Sequence, residues 1–367
     1  MNGRDSGVRS LNLALAMLTL VPGGMGGSET YARALTRELV GIPGLTATAF
    51  VPEGAEGFSE GVNESVIRSV SGGASNRARL GMVTKSGLHA CWIRKAMSDA
   101  DVVHYPFTVQ VPRAAKRQAV VQSLLDVQHL DLPELFSRPE LLYRRHFYEG
   151  GARRADVVVT ISEFAKQRMV ELLGLPSEKI HVAHLGVDTT SFVPNFGARE
   201  NFVLYPARGW AHKNHPRLIE AMRIVRKSIP DIRLVLTGGG LDVLGELPDW
   251  VDRRGLVSTS ALHEFYRSAA ALAFPSLYEG FGLPPLEAMA SGCPAAVSNA
   301  GSIPEVCGDA AVLFDPLDPD AIAQGVCNAI TRSKELSIAG LAQAKSFTWA
   351  GCRDSHLAAY EHARAVH

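Results

Sequence analysis

The residues best suited to chemistry are two glutamates around a glycine-rich turn, followed in interest by a basic loop far upstream. Residues 275 to 292 read PSLYEGFGLPPLEAMASG, an apolar run that breaks at a glycine turn and resumes with helical spacing from Pro284. Proline suits a first helical turn, so the turn and helix start predict backbone N–H groups aimed at one place. Such a place holds an anion, and the helix dipole favours the negative charge. Glu279 precedes the turn and Glu287 lies inside the helix, with Gly280, Phe281, Gly282 and Leu283 between them. A diphosphate carrying hydroxyl-rich rings at both ends fits this arrangement, Glu279 accepting from sugar hydroxyls and Glu287 from a ribose.

Residues 208 to 215, RGWAHKNH, form the basic loop directly after an apolar strand pattern. Arg208 offers a planar fork and Lys213 a point charge, a pair able to reach a diphosphate together. Negative charge grows on a phosphate leaving group as its bond breaks, and preplaced cations stabilise that state more than the ground state. Gly26 and Gly27, in a GGMGG run, let backbone amides approach a phosphate or sugar from another direction. That run lacks the spacing of a dinucleotide fingerprint, and Glu53 is only a loose candidate for its acidic partner.

Three lookalikes fall away. Asp318-Pro319-Asp320 sits at a helix start, where aspartate is a common cap. The pairs His181/His184 and His212/His215 have no further ligand at zinc spacing. Ser162 begins a helix without the strand-turn context of a nucleophilic serine. No metal site is expected.

These residues need strands and helices to place them. Short apolar runs alternate with helical patterns, which predicts βαβ units and parallel sheets. Strands are expected at 11–17, 46–51, 101–104, 119–124, 157–160, 202–206, 232–237, 271–274 and 295–298. Helices are expected at 29–40, 163–173 (capped by Ser162), 215–227, 261–270, 284–291 and 319–330, with more helix in the last thirty or so residues. The Gly, Pro, Asn and Thr of GVDTTSFVPNFGARE mark an interdomain linker at 188–200. The predicted fold is α/β, with two Rossmann-like doubly wound domains (1–187 and 201–345) facing across a cleft. Residues 346–367 form a C-terminal helix expected to return to the first domain.

The stretch 278–292, YEGFGLPPLEAMASG, resembles the Glu-x7-Glu signature of retaining family 4 glycosyltransferases of the GT-B fold. The runs 299–306 (NAGSIPEV) and 308–311 (GDAA) continue the likeness, as do Arg208 to Asn214 and Gly26 to Glu29. It is close over the C-terminal half and confined to a few motifs in the N-terminal half. The resemblance implies transfer of a hexose from a nucleoside-diphosphate sugar, without a metal or cofactor and with retention at the anomeric carbon. His129, in LDVQH, corresponds to a histidine near the anomeric centre. Gly238 and the backbone of Leu256 and Val257 are expected around the donor, whose base those backbone groups select. The motif details resemble the mannosyltransferase branch, which favours GDP-mannose over UDP-sugars. A saccharide, lipid-linked or small-molecule acceptor is expected from the first domain. A non-hydrolysing sugar-nucleotide 2-epimerase would share the architecture but needs acid/base residues that are not evident, and an inactive binding subunit would not need Arg208, Lys213, Glu279 and Glu287.

Length and composition agree with a two-domain globular protein. The 367 residues are 46% hydrophobic, and 37 basic residues balance 37 acidic ones, which gives no electrostatic case for nucleic acid. Five scattered cysteines form neither a disulfide framework nor a zinc cage, as in a reducing cytoplasmic compartment. The run 11–21 behind Arg4 and Arg9 looks like a signal-peptide core but reads better as a first strand. Residues 76–97 interleave Arg77, Arg79, Lys85, His89, Arg94 and Lys95 with Leu80, Met82, Val83, Leu88 and Trp92. Such a basic amphipathic segment can meet an anionic membrane surface or acceptor, or stand as a solvated helix face.

Overall fold

The computed structural model describes residues 10–71 and 76–367, except the side chains of 71 and 76–80. Arg4 and Arg9, and the side chains of Arg77, Arg79 and Leu80, lie outside the described residues. Two parallel sheets form. The first contains β1 (Leu11–Ala16), β2 (Leu45–Glu53), β3 (Asn63–Ser71), β4 (Val102–Tyr105), β5 (Ala119–Ser123), β6 (Val157–Thr160) and β7 (Ile180–Val182) in the order β3-β2-β1-β4-β5-β6-β7. The second contains β8 (Glu200–Pro206), β9 (Arg233–Thr237), β10 (Val251–Gly255), β11 (Ala269–Phe274), β12 (Ala295–Ser298) and β13 (Val312–Phe314) in the order β10-β9-β8-β11-β12-β13.

Central strands are mostly apolar because helices cover both faces; β4, β6 and β12 are buried throughout. Strand order reverses between β1 and β4, and again between β8 and β11. Loops leaving the carboxyl ends of strands at such reversals diverge and open a crevice, the usual ligand position of doubly wound sheets. The GGMGG run follows β1, the basic loop follows β8, and the glycine turn follows β11.

The helix Trp349–Val366 comes after the second sheet yet packs on the helix Gly27–Glu38 and on β4 to β7. Its crossing back runs beside the outward crossing, with the Val187 N–H bonded to the Phe347 carbonyl at 3.1 Å. Gly186 permits this approach, since a Cβ there would stand 2.1 Å from the Trp349 nitrogen.

A chain of buried polar groups fastens that helix. The Cys352 carbonyl can only accept, so at 2.8 Å the His356 Nδ1 carries the proton. His356 Nε2 is then bare and accepts from the Tyr31 hydroxyl at 2.7 Å. Tyr31 in turn accepts from Ser123 Oγ (2.7 Å), which accepts from His104 Nε2 (2.7 Å). His104 Nδ1 is left to accept from the Tyr360 hydroxyl at 2.9 Å. Every hydrogen points one way around the chain, and both imidazoles are neutral. Burial lowers His104 well below the ordinary histidine range and holds His356 at about 4.

Candidate active site at the meeting of the two sheets

The basic loop is fixed before it reaches any ligand. Asn214 adopts a left-handed backbone (φ 61°) at the start of the helix His215–Ser228. Its side-chain amide donates to the carbonyls of Pro275 (3.1 Å) and Pro316 (2.7 Å). The Leu277 N–H donates to the His212 carbonyl at 2.8 Å, tying the loop to the end of β11. Lys213 Nζ then meets Glu279 Oε1 at 2.5 Å, each side chain 13% exposed. The Arg208 guanidinium lies 5.4 Å from the Trp210 ring centre, with no carboxylate within 4.0 Å among the described residues. Across the crevice, a Cβ on Gly26 would stand 3.9 Å from Arg208 Nε. Burial, then the charge of Lys213, lowers His212 to about 4, so its ring adds no charge near neutral pH.

The glycine turn is held from behind. Ser302 Oγ lies 3.0 Å from the Glu279 carbonyl and 2.7 Å from that of Phe281. Gly301 (φ 63°) makes room, because a Cβ there would stand 2.7 Å from the Glu279 oxygen. The helix Leu283–Ala290 starts at Gly282 (φ 120°) with no side-chain cap, leaving its positive end to the turn. Glu287, on that helix, accepts from the Tyr266 hydroxyl at 2.7 Å, and burial raises its carboxyl above the usual range despite this bond. It is thus a half-buried carboxylate held in place by Tyr266.

Gly238 and Leu256 line an open cavity of about 320 Å³ with Gly239, Gly240, Asp242 and Arg254. The Gly209 N–H donates to the Gly239 carbonyl at 3.0 Å, so this cavity adjoins the Arg208 loop. Val257 follows β10 but is not among its walls.

From the first domain, the segment after β5 reaches this group through Asp126. A Cβ on Gly280 would stand 3.2 Å from the Asp126 Cβ. Burial raises the Asp126 carboxyl, against the Gln128 N–H that donates to it at 3.1 Å. The ring of His129 instead turns into the first domain. It is 1% exposed, edge-on to Phe136 and Tyr148, and its Nε2 is 3.5 Å from Glu149 Oε1. Burial, then Arg144, lowers it to about 4, so near pH 7 that approach is no ion pair. Neither ring nitrogen makes a hydrogen bond among the described residues. Arg208, Lys213, Glu279 and Gly26 therefore gather with Asp126, whereas His129 has no polar contact with them. Asp126 lies in the LDVQH run and Ser302 in the NAGSIPEV run, both visible only through the resemblance, whereas Tyr266 carries no signal in sequence.

Asp318 caps the helix Pro319–Thr331, its side chain accepting the Asp320 N–H at 2.9 Å. His181 pairs with His362 and His184 with Glu305. Among the described residues no three His, Cys, Asp or Glu side chains form a group able to hold a metal ion.

Two family models match in succession, Glycosyltransferase Family 4 over residues 25–191 and Glycosyl transferases group 1 over 187–340. The chain is 28% identical over 286 residues to O-antigen chain mannosyltransferase B of Escherichia coli, covering 71% of this chain and 74% of that one. It is 31% identical to the MMP alpha-(1->4)-mannosyltransferase of Mycolicibacterium hassiacum, covering 58% of this chain and 56% of that one. Among solved structures, sucrose-phosphate synthase of Thermosynechococcus elongatus superposes with a TM-score of 0.77 at 19% identity, over 96% and 98% of the two chains. Anabaena Alr3699/HepE in complex with UDP and glucose gives 0.72 at 17% identity, over 95% and 98%. With both halves matched and two facing doubly wound sheets, the chain belongs to the family 4 glycosyltransferases of the GT-B fold.

Proposed function

We propose that this enzyme transfers mannose from GDP-mannose to a saccharide, lipid-linked or small-molecule acceptor, with retention and without a metal ion. The observation that carries the reading is the Lys213–Glu279 contact at 2.5 Å, set between the uncapped helix Leu283–Ala290 and Arg208. The names of the mannosyltransferase relatives support the sugar. Glu279 accepts from the sugar hydroxyls, while Arg208, Lys213 and the turn amides neutralise the leaving diphosphate. The anomeric C–O bond to the diphosphate breaks and the acceptor oxygen bonds the same carbon. The acceptor's proton passes to the departing phosphate on that face. Glu287, held by Tyr266, receives the ribose, and the cavity of Gly238 and Leu256 receives the base. Asp126 faces the acceptor side, and closure of the domains excludes water.

We propose further that the outer face of the first domain meets an anionic lipid surface. Leu88 is 78% and Trp92 60% exposed there, beside a cavity of about 280 Å³ lined by Arg94, Arg113, His146 and Arg154. No helix among the described residues is long and apolar enough to cross a membrane.

A melting screen with GDP, UDP, dTDP, ADP and CDP tests the donor. A ligand at 100 times its Kd adds ~2.7 kcal/mol, a shift of several degrees. GDP should shift the midpoint most. A shift with UDP alone would replace the donor, and no shift with any nucleotide would remove the reading.

A further inference from the structure

The helix Glu163–Leu173 belongs to the first domain, but its amino end is finished by the second. Ser162 Oγ accepts the Ala165 N–H (3.1 Å) and donates to the Gly280 carbonyl at 2.8 Å, inside the glycine turn. Glu305 Oε1 accepts the Glu163 N–H at 2.8 Å, and its Oε2 accepts the Phe164 N–H at 3.0 Å. His184 Nε2 lies 2.6 Å from the same Oε1. Glu305 thus spends both oxygens on groups that precede the interdomain linker. Burial opposes its charge, yet these donors together hold the carboxyl below its usual range. Bonds from backbone N–H groups to a carboxylate are among the stronger ones, and the helix dipole adds to them.

Glu305 also stands at one end of a short lever. It lies in the helix Ile303–Cys307, entered through Ser302, whose hydroxyl meets the Glu279 and Phe281 carbonyls. Phe164, whose amide Glu305 receives, packs its ring against Tyr278 at 5.6 Å. Residues 301–305 therefore touch the Glu279 backbone at one end and the first domain at the other.

We propose that Glu305 is a positioning residue: it draws the first domain onto the glycine turn and so sets Glu279 against the acceptor side. This rests on the transferase reading. A misplacement of about 1 Å at a reacting centre costs on the order of 100-fold. Glu305→Ala should lower transfer kcat about 10–100-fold and raise the share of donor lost to water. Affinity for the bare nucleoside diphosphate, held by the second domain, should stay within about twofold.

Hydrogen exchange supplies a readout independent of activity. The Glu163 and Phe164 amides should exchange at least about tenfold faster in Glu305→Ala, because their acceptor is gone. Glu305→Gln keeps the shape and one acceptor oxygen, so it should fall between wild type and Glu305→Ala in both exchange and transfer. If exchange at these amides is unchanged, the seam is overturned whatever the activity. If exchange is released but transfer stays within twofold, or nucleotide affinity falls in parallel with kcat, the positioning role is overturned. A wild-type protein that turns over no sugar nucleotide removes the transferase reading instead, and the exchange result still decides the seam.

Discussion

Acidification should loosen the C-terminal helix through one histidine. In the chain from Tyr360 to Cys352 each imidazole must stay neutral, since an added proton on His356 Nε2 would face the Tyr31 hydrogen. Burial lowers His356 to about 4 in the fold, against roughly 6.5 when unfolded. Between those values the unfolded chain binds the proton and the fold does not, so stability is complete above pH ~6.5 and falls as pH drops toward 4. Going from pH 7 to pH 5, this one site costs about 2 kcal/mol by linkage. His104, lowered in the same direction, adds to the loss. At roughly 2–4 °C per kcal/mol, His356 alone accounts for a fall of about 4–8 °C in the melting midpoint. The assay is thermal melting at pH 7 and pH 5 for wild type and for His356→Gln, which cannot titrate there. The wild-type fall should exceed the variant's by that amount. Equal falls, within about 1 °C, would refute the neutral chain.

Three more outcomes are expected. Arg208→Ala and Lys213→Ala should each lose on the order of 10²–10³ in turnover while remaining folded, by analogy with a lost oxyanion-hole donor, and wild-type turnover in either contradicts its role. Glu287→Ala should weaken binding of the bare nucleoside diphosphate, whereas Glu279→Ala should spare it and impair the sugar nucleotide; titration calorimetry with both ligands decides, and parallel losses defeat the orientation. Excess chelator should leave transfer unchanged, and loss of activity restored by Mg²⁺ or Mn²⁺ would remove the assignment of charge neutralisation to the cationic pair.

The sequence disclosed interior strands better than edges. The strands absent from the sequence reading, β3, β7, β10 and β13, are the four at the sheet margins. An edge strand is not covered like a central one, so β3 (NESVIRSVS) and β10 (VDRRG) lack the apolar run that betrays β11 (AAALAF). Arg208, Lys213 and Glu279 were legible because a loop and a turn carry them in short motifs. Glu305 lay in a run visible only as resemblance, and its partners, the amides of Glu163 and Phe164, are about 140 residues away. Tyr266, which holds Glu287, sits on a helix of its own and has no motif. His129 and Asp126 are three residues apart, and the backbone between them decides which one faces Gly280. Spacing in the chain does not contain that choice.

The helix Trp349–Val366 gives vectorial synthesis an awkward order. The first sheet leaves the ribosome well ahead of the helix that supplies Cys352, His356 and Tyr360. At ~5–20 residues per second, the intervening domain takes on the order of ten seconds or more to make. Throughout that interval the Tyr31 hydroxyl and His104 Nδ1, whose partners His356 and Tyr360 are not yet made, are left to water on a sheet that lacks its last cover. The first domain is therefore completed after the second, and a nascent chain halted before residue 349 presents a vacant apolar face at β4 to β7. For this protein the order of translation and the order of completion are opposite.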